Sequence, residues 1–247
     1  MAKLSKQQTK LHNQAMDLIH SDKVLSENDI WFFYENYRED ASHNTTLNKA
    51  FFTPLLLARD FYVGTGFENG KIIDLCAGIG KLSFFNYLSM KDRSNLTCVE
   101  LNHDYYTIGK RLMPEANWIN CSIMELPIPD NKEYELAISN PPFGKLDTEL
   151  HQSLIFRNKN IFELSTVELA TKLAEQACFI LPSSVVPFKY SGRPYYEKVV
   201  NDKYEKFNKA TGIQLDILFS VDCSFYKDDW NSCNPSVELV EWVNDDF

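Results

Sequence analysis

The chain reads as an α/β protein: an open, largely parallel sheet with helices between its strands, preceded by an N-terminal helical extension. Three observations predict this. Short apolar runs alternate with helix-periodic stretches from Lys71 onward. A glycine turn follows the first run, Ile72-Ile73-Asp74-Leu75-Cys76-Ala77-Gly78-Ile79-Gly80, in the order strand, loop, helix. The last two apolar runs, Leu215–Val221 and Val237–Val243, read as an antiparallel pair.

The 247 residues suffice for one large α/β domain, or one domain with small additions. We divide them into an extension over residues 1–49 and a main domain over 50–247. The chain is 44% hydrophobic and 24% charged, ordinary values for a globular protein. It has no apolar run of membrane-spanning length, and the polar start Met1-Ala2-Lys3-Leu4-Ser5-Lys6 lacks the apolar core of a signal peptide. Six cysteines without a CxxC pair suggest reduced, mostly buried thiols in a cytoplasmic protein, with Cys223 and Cys233 able to pair across a loop. A net charge of -9 argues against a generic polyanion binder. Yet residues 140–212 hold ten Lys and Arg against eight Asp and Glu. A nucleic-acid surface would be local and lie there.

In order, Leu11, Ala15, Leu18 and Ile19 share a helical face between Ser5 and His20. Ser26 with acidic Asp29 three residues on starts a second helix, and its aromatic cluster Trp31-Phe32-Phe33-Tyr34 reads as core. A polar loop is expected over Ala41–Lys49. Phe52-Thr53-Pro54 then opens a helix to about Val63. Lys71–Leu75 is the first strand. Its turn is not GxGxxG, because Ser83 stands where a third glycine would come, which weakens a dinucleotide reading. Asp74 suits an ammonium group, and capping of the turn is equally open to it.

Leu96–Glu100 is the second strand. Glu100 lies twenty residues after Gly80, the spacing at which an acid grips ribose hydroxyls. Tyr105–Leu112 continues as helix, and Trp118–Ile123 is the third strand and its exit. Tyr134–Ser139 is the fourth and delivers Asn140-Pro141-Pro142-Phe143. Two prolines forbid helix and hold the strand end rigid. A fixed carbonyl, an amide and a ring thus meet where open α/β sheets bind ligands. The polar stretch from Lys145 to about Asn160 is a candidate target-recognition or lid loop. Phe162–Gln176 reads as a helix and Ala177–Leu181 as the fifth strand. Phe188, Tyr190 and Arg193 mix rings with charge in a way that suits a base and flanking phosphates, and a surface turn with buried rings is the equal alternative. Lys198, Lys203, Lys206 and Lys209 mark the helix after it.

Phe52-Thr53-Pro54, Asp74 to Gly80, Glu100 and Asn140 to Phe143, in that order, resemble the class I S-adenosylmethionine-dependent N6-adenine methyltransferases over about residues 50–243. The resemblance implies a Rossmann-like, seven-stranded sheet with S-adenosylmethionine as cofactor. Phe52, Thr53 and Pro54 would close over its methionine part, and Asp74, Cys76, Ala77, Gly78 and Gly80 would form its loop. Glu100 would hold its ribose and Leu101 its adenine. The family commonly places an acid at the third strand's exit; here Ser122 and Ile123 stand in that place.

The resemblance further implies that Asn140 and the Pro141 carbonyl accept hydrogen bonds from adenine N6, with Phe143 stacked on the base and Phe188 or Tyr190 on its other face. Lys145 and Arg193 would serve the nucleic acid, and no metal is required. DNA is favoured over RNA as partner, in a bacterial or bacteriophage setting. The same tetrapeptide occurs in rRNA N6-adenine and N2-guanine methyltransferases, and related forms in protein glutamine methyltransferases. A catalytically silent binding subunit is the reading from another class.

Overall fold

A computed structural model describes residues 4–39, 51–67, 69–231 and 233–243. The expected Ala41–Lys49 loop and Met1–Lys3 lie outside the described residues. Helices α1 (Lys6–His20) and α2 (Glu27–Asn36) each begin on a capping box, Ser5 with Gln8 and Ser26 with Asp29. Then come α3 (Leu55–Thr65), β1 (Ile72–Leu75), α4 (Phe84–Ser89), β2 (Leu96–Val99), α5 (His103–Leu112) and β3 (Asn117–Ile119). Next are β4 (Tyr134–Ser139), α6 (Phe162–Leu173), β5 (Ala174–Pro182), β6 (Phe188–Lys189), β7 (Glu197–Lys198), α7 (Asp202–Thr211), β8 (Gln214–Ile217) and β9 (Val237–Val243).

Seven strands form one sheet in the order β3-β2-β1-β4-β5-β9-β8, and β6 and β7 form a separate two-stranded ribbon. Strands β1 to β5 are parallel, while β9 runs antiparallel between β5 and β8. This is the expected Rossmann-like sheet. Strand order reverses between β1 and β4, so the glycine turn after β1 and Asn140 after β4 leave the sheet side by side. Such a reversal opens a crevice at the strands' carboxyl ends.

The two faces follow strand alternation. Ile72, Leu96, Cys98 and Ile138 face one core, shared with α1 to α5. Ile73, Leu75, Val99 and Ala137 face the other, covered by α6 and α7. The extension is part of the first core: Ala15, Phe33 and Tyr34 are buried there with Phe61 and Phe84. Its aromatic residues are packing residues, as the sequence suggested.

Several elements depart from expectation. Helix α6 stops at Leu173, three residues early, because Ala174 already pairs with Tyr134 across the sheet. β3 ends at Ile119, since the Asn120 amide turns back to the carbonyls of Glu100 and Leu101. Lys198 lies in β7 rather than in the helix that follows. Strand β8 covers only Gln214–Ile217. Cys223 and Cys233 form no disulfide with each other. No helix among the described residues is long and apolar enough to cross a membrane.

Candidate active site

The reversal point of the sheet holds a cavity of about 340 Å³. Its floor is the turn after β1. Gly78 has φ +59, and a Cβ there would come within 2.7 Å of the Phe52 ring. Only glycine gives both the left-handed backbone and the room for that ring. Cys76 also adopts a positive φ, 66, at the cavity wall, a conformation that L-residues seldom adopt. Gly80 serves another purpose. At φ +83 its missing side chain accommodates Met113 and Trp118, so it packs the turn against α5 and β3 and does not line the cavity.

Glu100 ties β2 to this turn. One carboxylate oxygen accepts from the Gly78 N–H at 2.8 Å and the other from the Asn102 N–H at 2.7 Å. Burial raises its pKa, and the backbone hydrogen bonds at Asn102 and Gly78 oppose that rise. Each oxygen keeps a further lone pair, and the residue lines the cavity, so a diol could be held there. Leu101, 68% exposed, and buried Ile123 are apolar walls. Ser122 also lines the cavity, but its hydroxyl caps the 3₁₀ turn Ile123–Glu125 by accepting from the Met124 N–H.

Asp74 is not where the sequence put it. By strand alternation it shares the face of Ile72, beneath the turn; it is fully buried and does not line the cavity. Neither carboxylate oxygen has a well-formed hydrogen bond among the described residues. Burial raises its pKa to about 7, a rise opposed by the Ser83 hydroxyl and reinforced by Glu100. Its role toward a ligand ammonium is therefore not supported by placement.

Asn140 and the Phe52-Thr53-Pro54 segment form one unit, which the sequence did not indicate. The Asn140 Nδ2 donates to the Phe51 carbonyl at 3.1 Å and to the Thr53 Oγ1 at 2.9 Å. A carbonyl can only accept, so the nitrogen must lie on that side. The Oδ1 has no hydrogen bond among the described residues, at a cavity also lined by Pro141, Pro142 and Phe143. Beneath, the Ser139 hydroxyl donates to the Leu75 carbonyl and locks β4 to β1. Phe52 and Thr53 line the cavity, whereas Pro54 is buried at the start of α3 behind them.

The predicted substrate residues fare differently. Phe188 has no exposed surface and stacks on Tyr196 within the second core, so it has no face for a base. Tyr190 is half-buried, Lys145 and Arg193 are exposed, and none of the three lines the cavity. The 145–160 loop is tied down: Glu168 accepts from the Ile155 and Phe156 N–H groups, and Glu163 from that of Gly144. Sequence reasoning missed Lys81, Tyr105, Leu146 and Phe162, all of which line the cavity. Tyr105 makes an edge contact with Phe52, the ring centroids 5.0 Å apart. Helix periodicity marks Tyr105 as buried but cannot say what else shares its pocket.

The residues present suit S-adenosylmethionine. An acid with spare lone pairs, a glycine-floored turn and apolar walls answer a ribose, a close-approaching backbone and an adenine.

The chain shares its fold with the methyltransferase subunit of a type I restriction-modification system from Streptococcus thermophilus, at 12% identity and a TM-score of 0.53, over 78% of this chain and 44% of that one. It is also similar to a Pyrococcus horikoshii protein described as a candidate RNA methyltransferase (15% identity, TM-score 0.47, 97% of each chain). A third similar structure is the glycopeptide N-methyltransferase MtfA complexed with S-adenosyl-L-methionine, at 12% identity and TM-score 0.44, over 77% of this chain and 93% of that one. No family model matches the chain, and no curated protein does. The fold is that of the class I methyltransferases.

Proposed function

We propose that the chain binds S-adenosylmethionine in this cavity and methylates the N6 amine of adenine in DNA. One observation carries the reading. The Asn140 amide is held by both its N–H groups, which leaves its oxygen as an acceptor beside Phe143 at the cavity. Adenine N6 is a poor nucleophile because its lone pair is delocalised into the ring. Hydrogen bonds from its two protons to the Asn140 Oδ1 and the Pro141 carbonyl would draw the nitrogen toward tetrahedral geometry. The rigid diproline holds the two acceptors in place, so positioning supplies most of the effect. Phe143, half-buried at the rim, offers a ring face worth about 1–3 kcal/mol per stacked base. Glu100, the Gly78 turn, Leu101 and Ile123 would hold the cofactor, which supplies an electrophilic methyl group when bound. A duplex adenine must leave the stack to reach this site.

The choice of DNA rests on the motif order, including Phe52-Thr53-Pro54, and not on the fold likeness. A labelled-methyl transfer assay on duplex DNA, single-stranded DNA, rRNA and protein, with nucleoside digestion, tests it. N6-methyladenosine from rRNA alone would move the substrate to RNA. Transfer to none of them would favour a silent binding subunit. Asn140→Ala is expected to lower transfer by at least about a hundredfold, as loss of an electrostatic acceptor does. It should retain most cofactor affinity by calorimetry. Transfer near the wild-type rate would refute the role of Asn140.

A further inference from the structure

We propose that Lys81 anchors the carboxylate of the amino-acid tail of the small ligand in this cavity. This rests on the S-adenosylmethionine reading above. Lysine is almost never buried without a partner. Lys81 is 6% exposed, yet it makes no hydrogen bond or ion pair with any described residue. It lines the cavity and is the sole cation among the lining residues described. Burial presses its pKa down; the Glu39 charge favours the ammonium and the Arg38 charge opposes it. The three donors of its ammonium meet no hydrogen-bond acceptor among the described residues.

The chemistry of the wall narrows the partner. Glu100, the cavity's only carboxylate among the described residues, spends one lone pair per oxygen on Gly78 and Asn102. Lys81 sits three residues beyond Gly78, the glycine whose bare α-carbon faces the Phe52 ring. A nucleic-acid phosphate is tied to a bulky polymer and is poorly suited to a lysine left only 6% exposed. The anion must enter on a small molecule. Leu101 and Ile123 are apolar and Glu100 is itself an anion, so of the groups of S-adenosylmethionine only the carboxylate of its amino-acid tail answers this cation.

Calorimetry with three ligands tests this: S-adenosylmethionine, S-adenosylhomocysteine and decarboxylated S-adenosylmethionine. Lys81→Met should weaken the first two by roughly tenfold to a hundredfold, the worth of a charge-assisted hydrogen bond, and leave the third unchanged. Lys81→Arg should restore part of the loss. Even without a folded Met variant, wild-type protein should bind the decarboxylated ligand more weakly by a similar factor. Equal weakening for all three ligands, with a lower melting temperature, would make Lys81 a structural companion of Glu39 and overturn the proposal. Weaker oligonucleotide binding with all three ligands spared would give Lys81 to phosphate and overturn it too. Wild-type protein that binds S-adenosylmethionine but does not distinguish it from the decarboxylated form overturns this inference alone. Binding of none of the three defeats the cavity reading itself.

Discussion

Asp74 shows how far one side chain can depart from a motif's apparent logic. The sequence places an acid at the end of a strand before a glycine turn; the pleat points it under the turn, where burial holds its pKa near 7 against an ordinary 3.8. A carboxyl with a raised folded-state pKa keeps its proton where the unfolded chain has released it. Its contribution to stability is complete below about pH 4 and falls by about 1.4 kcal/mol per pH unit until pH reaches about 7. Asp74→Asn should therefore flatten stability between pH 4 and 7, read from urea melts. Parallel pH profiles for the two proteins would show that Asp74 does not titrate this way. Glu100, equally legible as a strand-end acid, does reach the cavity. It stands just past the end of β2, where two backbone N–H groups turn its carboxylate toward the Gly78 turn.

At the scale of elements, α2 does more than cover the sheet. The Tyr34 hydroxyl donates to the Ile79 carbonyl at 3.0 Å, inside the glycine turn, and Tyr37 packs near Phe52. Tyr34→Phe should cost about 1–3 kcal/mol, since a buried carbonyl loses its donor. It should also weaken S-adenosylmethionine binding. Unchanged affinity with reduced stability would limit α2 to packing. Helix α6 plays the corresponding part on the other face. Glu168 holds the 145–160 loop by two backbone N–H groups, with the Lys172 ammonium 3.7 Å from its carboxylate. Glu168→Ala should speed limited proteolysis within residues 145–160 while the sheet stays folded, and an unchanged cleavage pattern would argue against that anchoring. The alternation of strands and helices made these elements visible in sequence. The tethers were not visible, because a carboxylate at a helix position reads as a solvated face until its partner's backbone is known.

For the whole molecule, charge is the governing quantity. A net charge of -9 repels a polyanion, while residues 140–212 carry a small basic excess. If DNA is the substrate, as proposed, its binding should therefore be modest and fall steeply with salt, as each neutralised phosphate releases a counterion. Affinity that is flat between 50 and 200 mM salt, in fluorescence anisotropy, would place recognition elsewhere than in phosphate contacts. The sheet's topology supplies the second whole-molecule property: its order reverses between β1 and β4, which brings two motifs sixty residues apart to one crevice.

Strand alternation, the glycine turn and the diproline ending β4 are local patterns, and local sterics alone determined them: which residues are extended, where the backbone must turn left-handed, and which amide ends β4. Tertiary structure decided what those residues meet. It sent Asp74 and Gly80 away from the cavity, buried Phe188 in the second core, joined Asn140 to Thr53 across the crevice and brought Lys81 into the wall. Those outcomes depend on which face of a strand or turn lies against which neighbour, and contacts between residues distant in sequence leave no periodic trace along the chain.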